Sequence, residues 1–340
     1  MFEFKNIYRF RRRRCRVVLA VGFAIIVAGL VKLKRMIKMH FKKNKANVTA
    51  ELITKRLTNI PTLICPQNLT TILASLNGPP SSHLSVPDEE LKTIQQAKQN
   101  NRSIRYGSIS VISILGILHY HANFIDLIID CIFGGTSYDS IREQFLAALS
   151  DPSIGAIVFD IDSPGGEVAG VFDLVDEIFN ARGAKPIYAV VNEMAYSGAY
   201  AIASAADKIF LPRTGGVGSI GVICMHVDQS QYDKNLGVNY TPIFSGTRKI
   251  DFNPHAPLST TAQIAAQNET ERIYELLVKT ISRNRGIDQK VVMDTQARLL
   301  FGKNAVDTGL ADDVIPYHRL LSDLQKKALI ERVRNTPKIK

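Results

Sequence analysis

Three short stretches carry residue types that can do chemistry, and each sits where one pattern of the chain gives way to another. The first is Ala195-Tyr196-Ser197-Gly198-Ala199-Tyr200. A serine at the first turn of a helix commonly serves as an N-cap. The other reading is a nucleophile on a strand-to-helix turn, with small neighbours that let a peptide backbone come close. The second stretch is Ser163-Pro164-Gly165-Gly166. Proline fixes the entry to the turn, and two glycines leave backbone N–H groups unshielded, an arrangement that suits an anion or a developing oxyanion. Ordinary strand-to-helix turns also use Gly-Gly. The third stretch must supply a base, because a serine hydroxyl is a weak nucleophile without one. His226 follows a glycine-rich loop and reads as a structural histidine; His119 and His121 fall near a strand end with no Asp/Ser pattern beside them. Lys249, in Ser245-Gly246-Thr247-Arg248-Lys249, is the better candidate. A lysine accepts a proton only when neutral, which burial favours by penalising the charged form. Taken alone, such a lysine is usually a solvated loop charge.

These residues need elements to hold them. Residues 46–105 read as a polar, helical approach segment, with a Gly/Pro/Ser loop at Asn77-Gly78-Pro79-Pro80. Strand-like sequence begins near Gly107, a loop is expected at 134–138 and a helix near 138–150. A strand from Ala156 to Ile161 then runs into Ser163-Pro164-Gly165-Gly166, followed by a helix over 167–182. The apolar residues Val168, Val171, Phe172, Val175, Ile178 and Phe179 repeat there with the helical period. A second unit places a strand at 186–191, a turn at 193–196 and a helix from Ser197 through Ala206. A strand at 208–211, the glycine-rich Thr214–Gly221, another strand and a long amphipathic helix at 259–284 complete the pattern. Strands alternating with helices at these lengths predict an α/β fold with a mainly parallel sheet.

Charge and cysteines exclude several function classes. The net charge is +11 over 340 residues, yet residues 1–45 hold 14 Lys/Arg against one acid, which leaves 28 basic and 30 acidic side chains in 46–340. The basic character is N-terminal, so a nucleic-acid-binding body is not expected. The four cysteines (Cys15, Cys65, Cys131, Cys224) are scattered without a C-x-x-C pair, which argues against metal or redox chemistry. Residues 17–31 are unbroken apolar sequence flanked by Arg11–Arg14 and Arg16 before and Lys32, Lys34, Arg35 and Lys38 after. Fifteen residues make a helix of about 22 Å, short of the roughly 30 Å hydrocarbon core. Membrane anchor, signal-peptide core and basic leader all remain open for this segment.

Taken in order, Phe159-Asp160-Ile161-Asp162-Ser163-Pro164-Gly165-Gly166-Glu167-Val168, the stretch from Ala195, Gly216-Val217-Gly218-Ser219-Ile220-Gly221-Val222, Ser245 to Asp251, and Leu300 to Asp312 resemble the signal peptide peptidase A (protease IV) family of serine peptidases, within the ClpP/crotonase superfamily. The resemblance spans about residues 105–316. It implies repeated ββα units, with Ser197 as nucleophile and Lys249 as general base. It further implies an oxyanion hole at Gly166 and Gly198, Ser219 orienting the lysine, and a substrate groove along Ser163, Pro164 and Gly165. No metal or cofactor is implied, and a homo-oligomer is. Asp251-Phe252-Asn253-Pro254-His255 and the upstream Arg56–Leu69 are similar to the phage and prophage head-maturation proteases, which cleave capsid scaffold proteins inside an assembling shell. The N-terminus fits a membrane-anchored signal peptide peptidase instead. A crotonase-type acyl-CoA enzyme and a non-catalytic capsid component are the remaining alternatives. The expected organisation is a basic segment at 1–45 that contains the candidate transmembrane helix 17–31, an approach segment at 46–104, a peptidase domain at 105–316 and a polar tail at 317–340. The expected setting is a bacterial host, either cytoplasm, inner membrane or a phage prohead.

Overall fold

The computed structural model describes residues 58, 60–77, 103–121 and 135–335. The expectations for 17–31, the rest of 1–57, Cys15 and Cys131 lie outside these residues. Among the described residues no helix is long and apolar enough to cross a membrane.

Among the described residues eleven strands form one sheet. They are β1 (Pro61–Ile64), β2 (Ile104–Tyr106), β3 (Ile109–His119), β4 (Gly135–Ser137), β5 (Ala156–Glu167), β6 (Ile187–Tyr196), β7 (Lys208–Leu211), β8 (Gly216–Gly218), β9 (Ile223–Cys224), β10 (Leu299–Phe301) and β11 (Asp313–Val314). The helices are α1 (Pro66–Asn77), α2 (Tyr138–Ser150), α3 (Val171–Asn180), α4 (Gly198–Ser204), α5 (Ser230–Asn235), α6 (Thr260–Arg285), α7 (Gln289–Asp294), α8 (Lys303–Asp307) and α9 (Tyr317–Asn335). The central strands β3, β5, β6 and β7 pair in parallel, as do β6 and β8. Antiparallel pairs lie toward the margins, at β2–β3, β8–β10, β1–β5 and β1–β9. This is the mixed α/β architecture with a mainly parallel sheet that the strand–helix alternation predicts.

Parallel strands covered on both faces carry continuous apolar runs rather than alternation. Accordingly, Ile157, Val158, Phe159 and Ile161 of β5 are all fully buried. One face packs beneath α2, α3, α4 and α6 through Phe145, Leu174, Ile178, Ile202, Leu277 and Ile281. The other receives Leu320 and Leu321 of α9 against Val111, Val158 and Val190. The expected polar tail at 317–340 therefore begins as a helix with an apolar contact to the sheet.

Three local expectations are corrected. Ser163–Gly166 and Glu193–Tyr196 are not turns but the last residues of β5 and β6. Residues 135–137 form β4 rather than a loop, pairing with His119 and its neighbours. The helical reading of 46–105 fails at Pro61–Ile64, which is a buried strand of the sheet.

Candidate active site

Ser197 sits in the one-residue corner between β6 and α4. Its backbone is at φ 53°, ψ −115°, a conformation that costs an L-residue of order 1–3 kcal/mol and persists only when the surroundings enforce it. The enforcement is visible: the Ser197 N–H donates to Gly218 O at 2.8 Å, and its carbonyl accepts from Ala201 N at 3.0 Å. Two other helix-initial serines give an internal standard. Ser137 and Ser259 have ordinary extended backbones, and their hydroxyl oxygens accept from Ser140 N and Ala262 N, each at 3.2 Å. Ser197 makes no such cap; its hydroxyl instead donates to Gly221 O at 3.3 Å. The helix-cap reading of Ser197 is thus set aside by geometry.

The loop after β8 wraps this corner. β8 runs parallel to the end of β6, with Tyr196 opposite Gly218. Gly218, at φ 114°, has to be glycine, since a methyl there would lie 2.3 Å from Arg298 O. Ser219 follows, also at positive φ (50°), buried and held by its N–H to Arg298 O at 3.1 Å. Gly218 and Gly221 thus meet Ser197 from either side of Ser219.

Ser163 is fully buried and fixes the glycine strand rather than facing solvent. Its hydroxyl donates to Gly116 O at 2.6 Å and accepts from Gly165 N at 3.1 Å. Gly165, at φ 96°, turns its open side to the Ser197 corner: a methyl there would lie 3.0 Å from Gly198 N and 2.1 Å from Leu63 O. The open side of Gly166 faces Leu118 instead, at 1.9 Å from its carbonyl oxygen. Gly198 is the first residue of α4, so its N–H has no intrahelical acceptor. Gly198, Gly165 and Ser197 are therefore brought together, with Gly166 one residue along the same strand.

α4 is anchored at its far end. The Arg182 guanidinium donates to Ser204 O, Ala205 O and Ala206 O at 2.6–2.9 Å, and to Asn284 O at 3.0 Å. Burial pushes the Arg182 pKa down despite the nearby Asp207. Beneath it, Asp312 accepts from Lys208 Nζ at 2.9 Å and from Ile209 N and Arg285 at 2.8 Å. Burial alone would raise the Asp312 carboxyl, but these hydrogen bonds outweigh it and hold the group below its ordinary range.

Lys249 makes no hydrogen bond to Ser197: the lysine is exposed and the serine buried. It lies in a run, 241–249, whose side chains are all exposed. Its N–H closes a turn onto Gly246 O at 3.0 Å. Among the described residues its ammonium makes no hydrogen bond or ion pair, whereas the neighbouring Arg248 pairs with Asp251 and reaches Thr261 O at 3.3 Å. The histidines are engaged elsewhere. His226 meets Ala256 O at 3.3 Å, as expected of a structural residue. His121 meets Asp139 at 2.6 Å, a carboxylate that tertiary structure supplies and local sequence did not reveal. Cys65 and Cys224 are free, and no group of metal-ligating side chains occurs among the described residues.

Sequence reasoning missed one neighbour of the corner. Leu63 of β1 is fully buried, and its carbonyl oxygen would lie 3.3 Å from a methyl on Gly198. The available signal was a Thr-Leu-Ile-Cys run bracketed by Pro61 and Pro66, too short for periodicity to separate strand from helix.

Comparison with known proteins now bears on this geometry. Residues 180–331 match the model of peptidase family S49, a span that includes Ser197, Ser219 and Lys249. The chain is 36% identical over 182 residues to capsid assembly protease C of Escherichia phage lambda, covering 54% of this chain and 42% of that protein. It is 33% identical to head-tail preconnector protein GP5 of Enterobacteria phage P21, over 54% of this chain and 36% of the relative. It is 26% identical to protease 4 of Haemophilus influenzae, over 55% of this chain and 31% of the relative. The chain thus spans less than half the length of these curated relatives. Residues 180–331, which contain the strand–Ser197–helix corner, are thus similar to peptidase family S49.

Proposed function

We propose that this chain is a serine endopeptidase with Ser197 as nucleophile and Lys249 as general base, acting on capsid scaffold proteins during phage or prophage head maturation. The observation that carries the proposal is the Ser197 corner: a strained, fully buried serine that declines the cap its two counterparts make. In the reaction Ser197 Oγ attacks the scissile carbonyl while neutral Lys249 takes its proton. The carbonyl oxygen becomes an oxyanion held by N–H groups of Gly198 and the Gly165–Gly166 strand. Lys249 then returns the proton to the leaving amine, and water releases the acyl group from Ser197. Ser219 would orient the arriving amine, a role that its buried position in the loop between the two contacts to Ser197 supports.

Lys249 must travel for this to happen. Its loop exposes Leu236, Val238, Tyr240, Ile243 and Phe244 in one run of sequence, with Ile243 98% exposed. Exposed apolar surface of this density marks an interaction site. A second copy of the chain covering it would bury Lys249 and press it toward a nucleophile, which is why the reading includes a homo-oligomer. No metal or cofactor enters any step. A crotonase-type enzyme has no use for the strained serine. The head-protease assignment is supported by the phage relatives at 33–36% identity.

Co-expression with a candidate scaffold protein tests the reading. Processed scaffold is expected with the native chain and absent with Ser197→Ala and with Lys249→Ala. Processing that persists in either variant rejects the Ser/Lys mechanism, and turnover of signal peptides with the scaffold left intact would move the substrate away from capsids.

A further inference from the structure

A peptidase that reads extended peptides needs a strand-shaped slot beside its nucleophile, and in this structure the slot beside Ser197 is already filled. β1 lies between the end of β5 and β9, antiparallel to both. Leu63 is opposite Gly166 and Ile64 opposite Gly165 on one side, and Pro61 is opposite Cys224 and Thr62 opposite Ile223 on the other. The backbone of alternate residues in a strand addresses alternate sides. Here Cys65 N donates to Pro164 O at 2.9 Å, and the Leu63 carbonyl is turned to Gly165 and Gly198. Thr62 Oγ1 reaches the other way, to Ile223 O at 3.3 Å. The occupant therefore uses the glycine strand as main-chain partner, with its Leu63 carbonyl packed close to Gly165 and Gly198. Leu63, Ile64 and Cys65 are 0–2% exposed, and Ser197 beneath them is fully buried. Behind the strand, α1 seats Leu69, Ile72 and Leu73, giving the occupant a lever of its own.

We infer that residues 61–64 are a resident pseudosubstrate. They show what the slot accepts, an extended apolar segment running antiparallel to Gly165–Glu167 with a leucine against Gly198, the residue after Ser197, and they exclude such a peptide until they leave. The inference rests on Ser197 being the nucleophile of a peptidase. Because only molecules with the strand displaced can bind, apparent affinity for a peptide falls by the fraction that is open.

One pair in the structure offers a direct test. Residue 61 shares the parity of Leu63 and Cys65, whose backbones address β5, so Pro61 and Cys224 face each other as a non-hydrogen-bonded pair. Such pairs hold Cα atoms about 4.5 Å apart, within disulfide range. In a Ser197→Ala background, Pro61→Cys can be oxidised to join position 61 to the native Cys224 and reopened with reductant, the link being mapped by mass spectrometry. The probe is a fluorescein-labelled synthetic peptide with the sequence of residues 58–66, its binding read by anisotropy. The reduced protein is expected to bind it at least about tenfold more tightly than the oxidised protein. Leu63→Ala, in the same background and shown to be folded by circular dichroism, removes the strand's side-chain anchor and should bind the probe at least about tenfold more tightly than its parent. Equal affinity of the oxidised and reduced forms, or no binding in any form, overturns the inference. The comparison uses one folded protein in two redox states and involves no cleavage, so a failure of Ser197 as nucleophile would leave its result untouched.

Discussion

The corner that holds the proposed nucleophile and the loop that carries the proposed base are built on opposite principles. Around Ser197 every position is determined more than once. The residue itself is fixed by Gly218 O and Ala201 N, Gly165 and Gly218 have carbonyls where a side chain would go, and Arg182 ties down the far end of α4. Around Lys249 little is determined: residues 236–249 are almost entirely exposed, and Gly246, at φ 89°, has open space where its side chain would be. On the proposed reading, the difference teaches that one half of the site is made by folding and the other half is left to be delivered. Strain at Ser197 is affordable because the parallel sheet holds it; a lysine that must become neutral is kept out of the core until something covers it.

The contrast can be broken in several places. Its largest consequence is at Lys249, where Lys249→Ala should lower the rate of substrate cleavage by about 10³-fold or more. Thermal unfolding should shift by less than about 0.5 kcal/mol, as for any exposed side chain without partners. A large loss of stability would show that the lysine is already part of the packed structure. Next comes a matched pair of glycine substitutions followed by chemical denaturation. Gly165→Ala forces a methyl into Leu63 O at positive φ and should cost about 3 kcal/mol or more. Gly246→Ala pays only the left-handed backbone, about 1 kcal/mol. Similar costs at the two positions would erase the distinction between corner and loop.

A smaller effect concerns the scaffold under α4. The Asp312 carboxyl is held below its ordinary range in the folded state, so it contributes stability above its unfolded pKa of about 3.9. That contribution disappears as pH falls through the folded value. Melting temperatures of the native chain should drop between about pH 4 and the lower folded value, and Asp312→Asn should lack this part of the decline. Parallel curves for the two proteins would remove Asp312 from the account.

Legibility in the sequence follows the same division. Helix 138–150 and strand 208–211 stand where their patterns put them, and α6 is displaced by a single residue, because long amphipathic or continuous apolar segments speak for themselves. The glycine strand was misread as a turn because Pro164, Gly165 and Gly166 each disfavour strands locally. They are held extended by β3 on one edge and β1 on the other, partners that no local pattern reveals. β1 was hidden for the complementary reason: four residues carry no usable period, and their partners lie about 100 and 160 positions away. Ser197 was legible as a position but not as a conformation. Only the backbone at φ 53° separates it from Ser137 and Ser259, which share its residue type and its place before a helix.

The central claim is that Ser197 is the nucleophile, and purified protein answers it most directly. Native chain and Ser197→Ala would be incubated with a candidate scaffold protein, and the intact masses of products followed over time. The account predicts discrete scaffold fragments from the native chain and an unchanged scaffold mass with a folded Ser197→Ala. The same fragments appearing at a comparable rate in both would contradict it.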